Sequence, residues 1–149
     1  MGRILLSIFR VVNFLHRKKV PVLPSVINLL FIRLLFGCQI GNGAQLGKGV
    51  SLGYGGLGIV IHGRSKLGNY VNIGTGVTIG GTNKQTDVPI IGDNTMIATG
   101  AKVLGPVTIG RNCVIGANAV VLSSIPDNSV AVGIPAKVIK QDIDISDYR

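Results

Sequence analysis

Two histidines, two cysteines and six aspartates are the side chains of this 149-residue chain that could do acid–base, thiol or metal chemistry. His62 closes the aliphatic run Ile59-Val60-Ile61. A neutral imidazole in hydrogen-bond reach of a hydroxyl can take its proton as that oxygen attacks a carbonyl, typically worth about 10² to 10⁴ in rate. His62 is therefore the candidate general base. No acid precedes Asp87, so either Asp87 or a backbone carbonyl would have to orient the imidazole. Asp87 reads more readily as a solvated loop residue than as that partner. His16 sits among Arg17, Lys18 and Lys19 and reads as a solvated helix-end histidine. Cys38 and Cys113 are far apart and form no CxxC pair. Nothing in them demands an oxidising compartment, so a cytoplasmic setting is expected. A zinc site of three histidines cannot be assembled from one histidine beyond residue 36, and no metal is expected.

His62 is positioned by a six-residue repeat. Aliphatic residues recur at Ile40, Leu46 and Leu52, at Ile61, Leu67, Ile73 and Ile79, and again from Ile91 through Ile97, Val103, Ile109, Ile115 and Val121. The residue after each is usually Gly, as at Gly41, Gly47, Gly68, Gly74, Gly92 and Gly110; after Ile61 it is His62. Ala98, Leu104 and Leu122 also occupy that position, so a tolerated corner histidine is the competing reading. A period of six suits neither an α-helix nor a simple alternating strand. It suits short strands joined by tight corners and stacked as a solenoid, three hexads to a triangular coil, with successive coils pairing as parallel strands about 4.8 Å apart. The fifth position holds small or β-branched residues (Ala44, Val71, Val77, Ala101, Val107, Ala119), and Cys113 falls there as a small buried hydrophobe.

Two interruptions break the period. Between Leu52 and Ile61 the segment Tyr54-Gly55-Gly56-Leu57-Gly58 holds about three extra residues relative to the six-residue period. Between Ile79 and Ile91, residues 81–89 read as a loop expelled from the solenoid, a common place for function on a rigid scaffold.

Composition narrows the remaining choices. Gly, 22 of 149 residues, is about twice its usual share, and its periodic placement argues for turns rather than disorder. The net charge is +9, with ten Lys or Arg and no acid in the first 86 residues, which favours an anionic partner. No binding motif or stacking platform points to nucleic acid, and none is expected as partner. Residues 1–36 form a basic arm of two short helices: Ile4, Leu5, Ile8, Val11, Val12 and Leu15 keep helical spacing with Arg3, Arg10 and Arg17 interleaved. The arm lacks a signal-peptide cleavage site and an uninterrupted apolar span. It packs on the main domain or a neighbouring subunit, or rests on an anionic membrane surface, which would make the protein membrane-proximal. The domains expected are the arm (1–36), the solenoid (37–141) and an acidic tail (142–149).

The segments IGNGAQ, LGKGVS, IGTGVT, IGDNTM, IGRNCV and IGANAV, with GLGIVIHGRSKLG before them and IPAKVIK at the close, resemble the hexapeptide acyltransferases, in the serine acetyltransferase-like branch. The resemblance implies an all-β solenoid, a left-handed parallel β-helix, assembled as a homotrimer with acetyl-CoA in the grooves between solenoids. His62 would then act on the hydroxyl that attacks the thioester. Gly80, Gly81 and Thr82, with Thr99 and Ala117 on later coils, would lie along the pantetheine arm. Lys84, Lys137 and Lys140 would meet the CoA phosphates. Serine acetyltransferases usually carry a histidine before the GIVI-type strand and another in the long loop; the matching positions here hold Tyr54 and, roughly, Val88. Tyr54 and Asp87 would line the acceptor pocket. The expected activity is acetyl-CoA-dependent O-acetylation of a sugar hydroxyl in surface-polysaccharide biosynthesis. L-serine is the alternative acceptor, and a non-catalytic trimeric scaffold or CoA-binding module the alternative of another class.

Overall fold

The structure, a computed structural model, describes residues 1–148. The aliphatic first positions of the hexads turn inward: Ile40, Ile73, Ile79, Ile97, Val103, Ile109, Ile115 and Val121 are fully buried. Leu46 is half-buried against the same core. Cys113 is fully buried at its fifth position, as are Ala101 and Ala119 at theirs. The result is a parallel β-solenoid of about four turns, whose core is a column dominated by branched aliphatics.

Its strands stack on three faces. The first face holds β1 (Gln39–Ile40), β4 (Val60–Ile61), β7 (Thr78–Gly80), β10 (Lys102–Leu104) and β13 (Val120–Val121). The second holds β2 (Gln45–Leu46), β5 (Lys66–Leu67), β8 (Ile90–Ile91) and β11 (Thr108–Ile109). On the third lie β3 (Ser51–Leu52), β6 (Asn72–Ile73), β9 (Met96–Ile97), β12 (Val114–Ile115) and β14 (Val130–Gly133). A final strand, β15 (Ala136–Lys140), folds back antiparallel on β14. Chain passing from the first face to the second forms the first edge, from second to third the second edge, and from third to first the third edge. Ile61 pairs in register with Ile79, one regular coil of three hexads later.

Close stacking explains the second-position glycines. A Cβ on Gly41 would run into the Cα of Gly63 in the next coil, and one on Gly92 would lie 2.6 Å from the backbone N of Arg111. Asparagines with positive φ turn other corners, as at Asn94, Asn112, Asn118 and Asn128, because Asn tolerates the left-handed region better than most residues. The second edge is also laddered by carboxylates and amides. Asp93 Oδ1 accepts from the Asn69 N–H at 2.7 Å, and Asp127 accepts from the backbone and side chain of Arg111 at 2.9 and 3.0 Å.

The arm packs on the first coil. Helix α1 (Gly2–Arg17) buries Leu5, Phe9 and Val12; α2 (Leu23–Ile27) runs into a π-helical segment (Asn28–Leu35) that buries Ile32. These four side chains close the end of the core. Carbonyls of the first coil have no strand beneath them, and the arm supplies donors instead. Asn13 Nδ2 donates to the carbonyls of Asn42 (2.8 Å) and Ala44 (3.0 Å), and Asn28 Nδ2 to that of Ile40 (2.7 Å). Buried backbone acceptors left unpaired would each cost about 1–3 kcal/mol. At the other end the Ile143 N–H donates to the Asn128 carbonyl at 3.1 Å and a 3₁₀ turn follows over Ile145–Tyr148. Arg149, the last residue of the expected tail, lies outside the described residues.

Both cysteines are buried and free. Burial pushes the Cys38 thiol from 9.0 up to about 11, and raises Cys113 as well. For Cys38 the folded state keeps its proton where the unfolded state loses it, so stability is full below pH 9 and falls as pH rises from 9 toward 11. A thiol-reactive dye at pH 8 is therefore expected to label neither cysteine in the native protein and both in denaturant. Fast native labelling would show that these sites are open.

Candidate functional site

His62 is the first residue of the first edge after β4, half-buried. Its backbone N–H donates to the Ile79 carbonyl at 2.8 Å, which fixes the residue on the ladder. The imidazole Nδ1 accepts the backbone N–H of Arg64 at 3.2 Å. That bond assigns the tautomer: a ring that accepts at Nδ1 carries its proton on Nε2 when neutral. In this conformation the remaining nitrogen is a hydrogen-bond donor. Taking a proton from a hydroxyl requires the ring to leave Arg64.

Space for the imidazole comes from the expelled loop. Over Gly41 the next coil places Gly63, which would collide with a side chain; over His62 it places Gly81, and there the chain is already leaving the solenoid. A Cβ built on Gly80 meets nothing closer than 3.8 Å. Residues 81–87 are exposed, and β8 resumes the ladder only at Ile90. The departure from glycine at His62 and the departure of the loop are thus one structural event.

The residues singled out from the sequence fall into three groups. Gly80, Gly81 and Thr82 lie on the first edge with His62, and Lys84 and Asp87 on the loop that grows from it. Thr82 Oγ1 donates to Gln85 Oε1 at 3.3 Å, folding the loop's start on itself. Among the described residues no hydrogen bond or ion pair joins Asp87 to His62. Asp87 instead lines a hollow of about 350 Å³ with Arg64, Lys66 and Val88 under the loop. Tyr54, Thr99 and Ala117 lie on the third edge, one per coil, all exposed; Tyr54 adopts a positive φ of 46° and is 91% exposed. The Asn118 N–H donates to the Thr99 carbonyl at 2.9 Å, stacking two of these corners. Lys137 and Lys140 are exposed on β15. A single subunit therefore separates the first-edge group from the third-edge group by the width of the first face, about 13 Å for four extended residues.

Lys102 was not among the sequence-derived candidates. It is half-buried on the first face, and its Nζ donates to the Gly76 carbonyl at 2.5 Å, which sets a cation at the third edge near Thr99. The signal available was a lysine at a sixth position whose partners in register, Thr78 and Val120, are uncharged. Ser65, fully buried at a fifth position beside Arg64, has no partner for its Oγ among the described residues.

Residues 89–123 match the model for the bacterial transferase hexapeptide (six repeats). The serine acetyltransferase of Staphylococcus xylosus is 45% identical over 130 residues, covering 86% of this chain and 59% of that protein. Among solved structures, the Neisseria gonorrhoeae serine acetyltransferase superposes with a TM-score of 0.90 at 33% identity, over 96% of this chain and 56% of that one. The chain belongs to the hexapeptide-repeat transferases, in the serine acetyltransferase branch. A serine acetyltransferase of Brucella abortus solved with coenzyme A matches equally well, with a TM-score of 0.89 at 30% identity over 94% of this chain and 56% of that one. The chain spans somewhat more than half the length of these relatives. No cluster of three metal-ligating side chains exists among the described residues.

Proposed function

We propose that the chain is an acetyl-CoA-dependent O-acetyltransferase of the serine acetyltransferase kind. The observation that carries the reading is the superposition of almost the whole chain on a serine acetyltransferase solved with coenzyme A. Acetyl-CoA, as co-substrate, would supply an acyl group on a thioester already activated for attack. The small exposed side chains of Thr99 and Ala117 fit a pantetheine arm along the third edge, with the Lys102 ammonium beside it. Lys84, Lys137 and Lys140 remain the cations offered to the phosphates.

The site needs more than one copy. In a homotrimer the first edge of one solenoid would face the third edge of its neighbour, bringing His62, Gly80, Gly81 and Thr82 against the corner that carries Tyr54, Thr99 and Ala117. The acceptor oxygen would attack the thioester carbon, and the thiolate of CoA would leave. His62 acts in one of two ways. With its ring as described, Nε2–H donates to the developing oxyanion and the acceptor's proton passes to the departing thiolate; with the ring released from Arg64, it takes the acceptor's proton and returns it to that thiolate.

L-serine is the acceptor that the relatives favour. They lend no support to the sugar hydroxyl of surface-polysaccharide biosynthesis expected from the sequence. One observation keeps a sugar in the test: Tyr54 stands fully exposed where serine acetyltransferases usually carry a histidine. The experiment is CoA release from acetyl-CoA with L-serine, free sugars and nucleotide-linked sugars offered separately. Turnover with L-serine alone supports the first reading; turnover with a sugar alone transfers the assignment. Coenzyme A binding without turnover on any acceptor leaves a CoA-binding module, and neither binding nor turnover leaves a scaffold.

A further inference from the structure

The arm closes the core with one side and leaves the other side apolar. On α1, Leu5, Phe9 and Val12 are buried, while Ile4, Val11 and Phe14 are 53–61% exposed on the opposite stripe. In the α2 and π-helical stretch, Ile32 is buried and Leu34 and Leu35 are 67–69% exposed, with Leu29, Leu30 and Phe31 roughly half exposed. The outward faces of both helices are turned away from the solenoid, because the inward ones plug its end.

Cations border this apolar surface. Arg3, Arg10 and Arg17 recur every seven residues and so share a flank of α1 between its packed and exposed stripes. They overlook two adjoining hollows, of about 670 and 230 Å³, between α1 and the first coil; Arg10 borders both. Lys18 and Lys19 follow at the helix end, and Arg33 stands on the π-helical segment. No acid occurs anywhere in the first 86 residues. Two copies meeting through this surface would bring like charges together with nothing to neutralise them. An anionic surface with an apolar interior answers both features at once.

We infer that the arm docks on an anionic lipid bilayer, lying in the interface plane. Ile4, Val11, Phe14, Leu34 and Leu35 enter the acyl boundary, and Arg3, Arg10 and Arg17 hold lipid phosphates at the rim. The helices do not span: no described helix is long and apolar enough to cross a membrane. The inference is independent of acetyl transfer. A trimer with its axis along the solenoids would present three such surfaces in one plane, which multiplies attachment to a flat partner.

The test is co-sedimentation of the full chain with vesicles of phosphatidylcholine alone and with equimolar phosphatidylcholine and phosphatidylglycerol, beside its solution mass over a range of concentrations. Binding is expected only to the anionic vesicles and should weaken with salt. The double variant Phe14→Ser with Leu34→Ser, both exposed and so neutral for folding, should bind about tenfold more weakly or worse, with an unchanged circular dichroism spectrum. Arg3→Gln with Arg10→Gln should do the same. Three outcomes would overturn the inference: no binding of folded protein to anionic vesicles, equal binding to both vesicle types, or full binding by the serine variant. A concentration-dependent doubling of mass that the serine variant abolishes would assign the surface to a second copy instead.

Discussion

Replacing His62 with alanine should lower kcat/KM for acetyl transfer by about 10² to 10³, the usual effect of deleting one donor to an oxyanion. Glutamine at the same position separates the two roles. Its side-chain amide offers an N–H at similar reach but has no basic nitrogen. Because Nδ1 is held by the Arg64 N–H and the proton sits on Nε2, we expect His62→Gln to recover at least about tenfold over alanine. A glutamine variant as slow as alanine would assign the general-base role, with the ring turned away from Arg64 during the reaction. Unchanged turnover in both variants would remove His62 from the chemistry altogether. Measuring solution mass alongside is needed, since a residue at the edge between subunits can alter assembly as well as rate.

The second large effect is on stability. Phe9→Ala should destabilise the protein by about 3–5 kcal/mol, since it removes an aromatic ring only 2% exposed at the junction of arm and coil. For a chain of this size that corresponds to a fall in Tm on the order of 10 °C. Phe14→Ala, on the same helix but 59% exposed, should change stability by no more than about 0.5 kcal/mol. Thermal unfolding followed by circular dichroism reads both. Similar losses in the two variants would mean that α1 does not pack as described.

The solenoid was legible in the sequence because its core is one-dimensional. Each inward residue announces itself every six positions, and the structure buries all of them from Ile40 to Val121 except Leu46, which is half-buried. The period carries no information about handedness, which entered through the family resemblance. The arm was legible as helices but not as a lid. Asn13 and Asn28 look like ordinary polar interruptions until the first coil's carbonyls are seen to lack donors below them. The site was partly legible: His62 violates the repeat, but the cause of the violation, the loop leaving above it, needs the register of β4 against β7 to be seen. The hydrogen bond from Arg64 and the hold of Lys102 on Gly76 were beyond reach. Both join a side chain to a backbone atom whose direction only the corner geometry fixes.

The two ends of the coil stack close by different means, helices at one and the antiparallel β15 at the other. A parallel coil stack is by construction able to continue, since every coil presents to the next the same unpaired backbone that it received from the last. Without its lid the first coil would offer that template to the same bare coil of another molecule, while the end closed by β15 stays shut. A chain lacking residues 1–36 is accordingly expected to associate end to end, with a doubled mass by light scattering, and a truncated protein that keeps the mass of the intact assembly less its arms would refute this. The arm then does two jobs with opposite faces: its inner side sets the length of the particle, and its outer side is left available to decide where in the cell that particle rests.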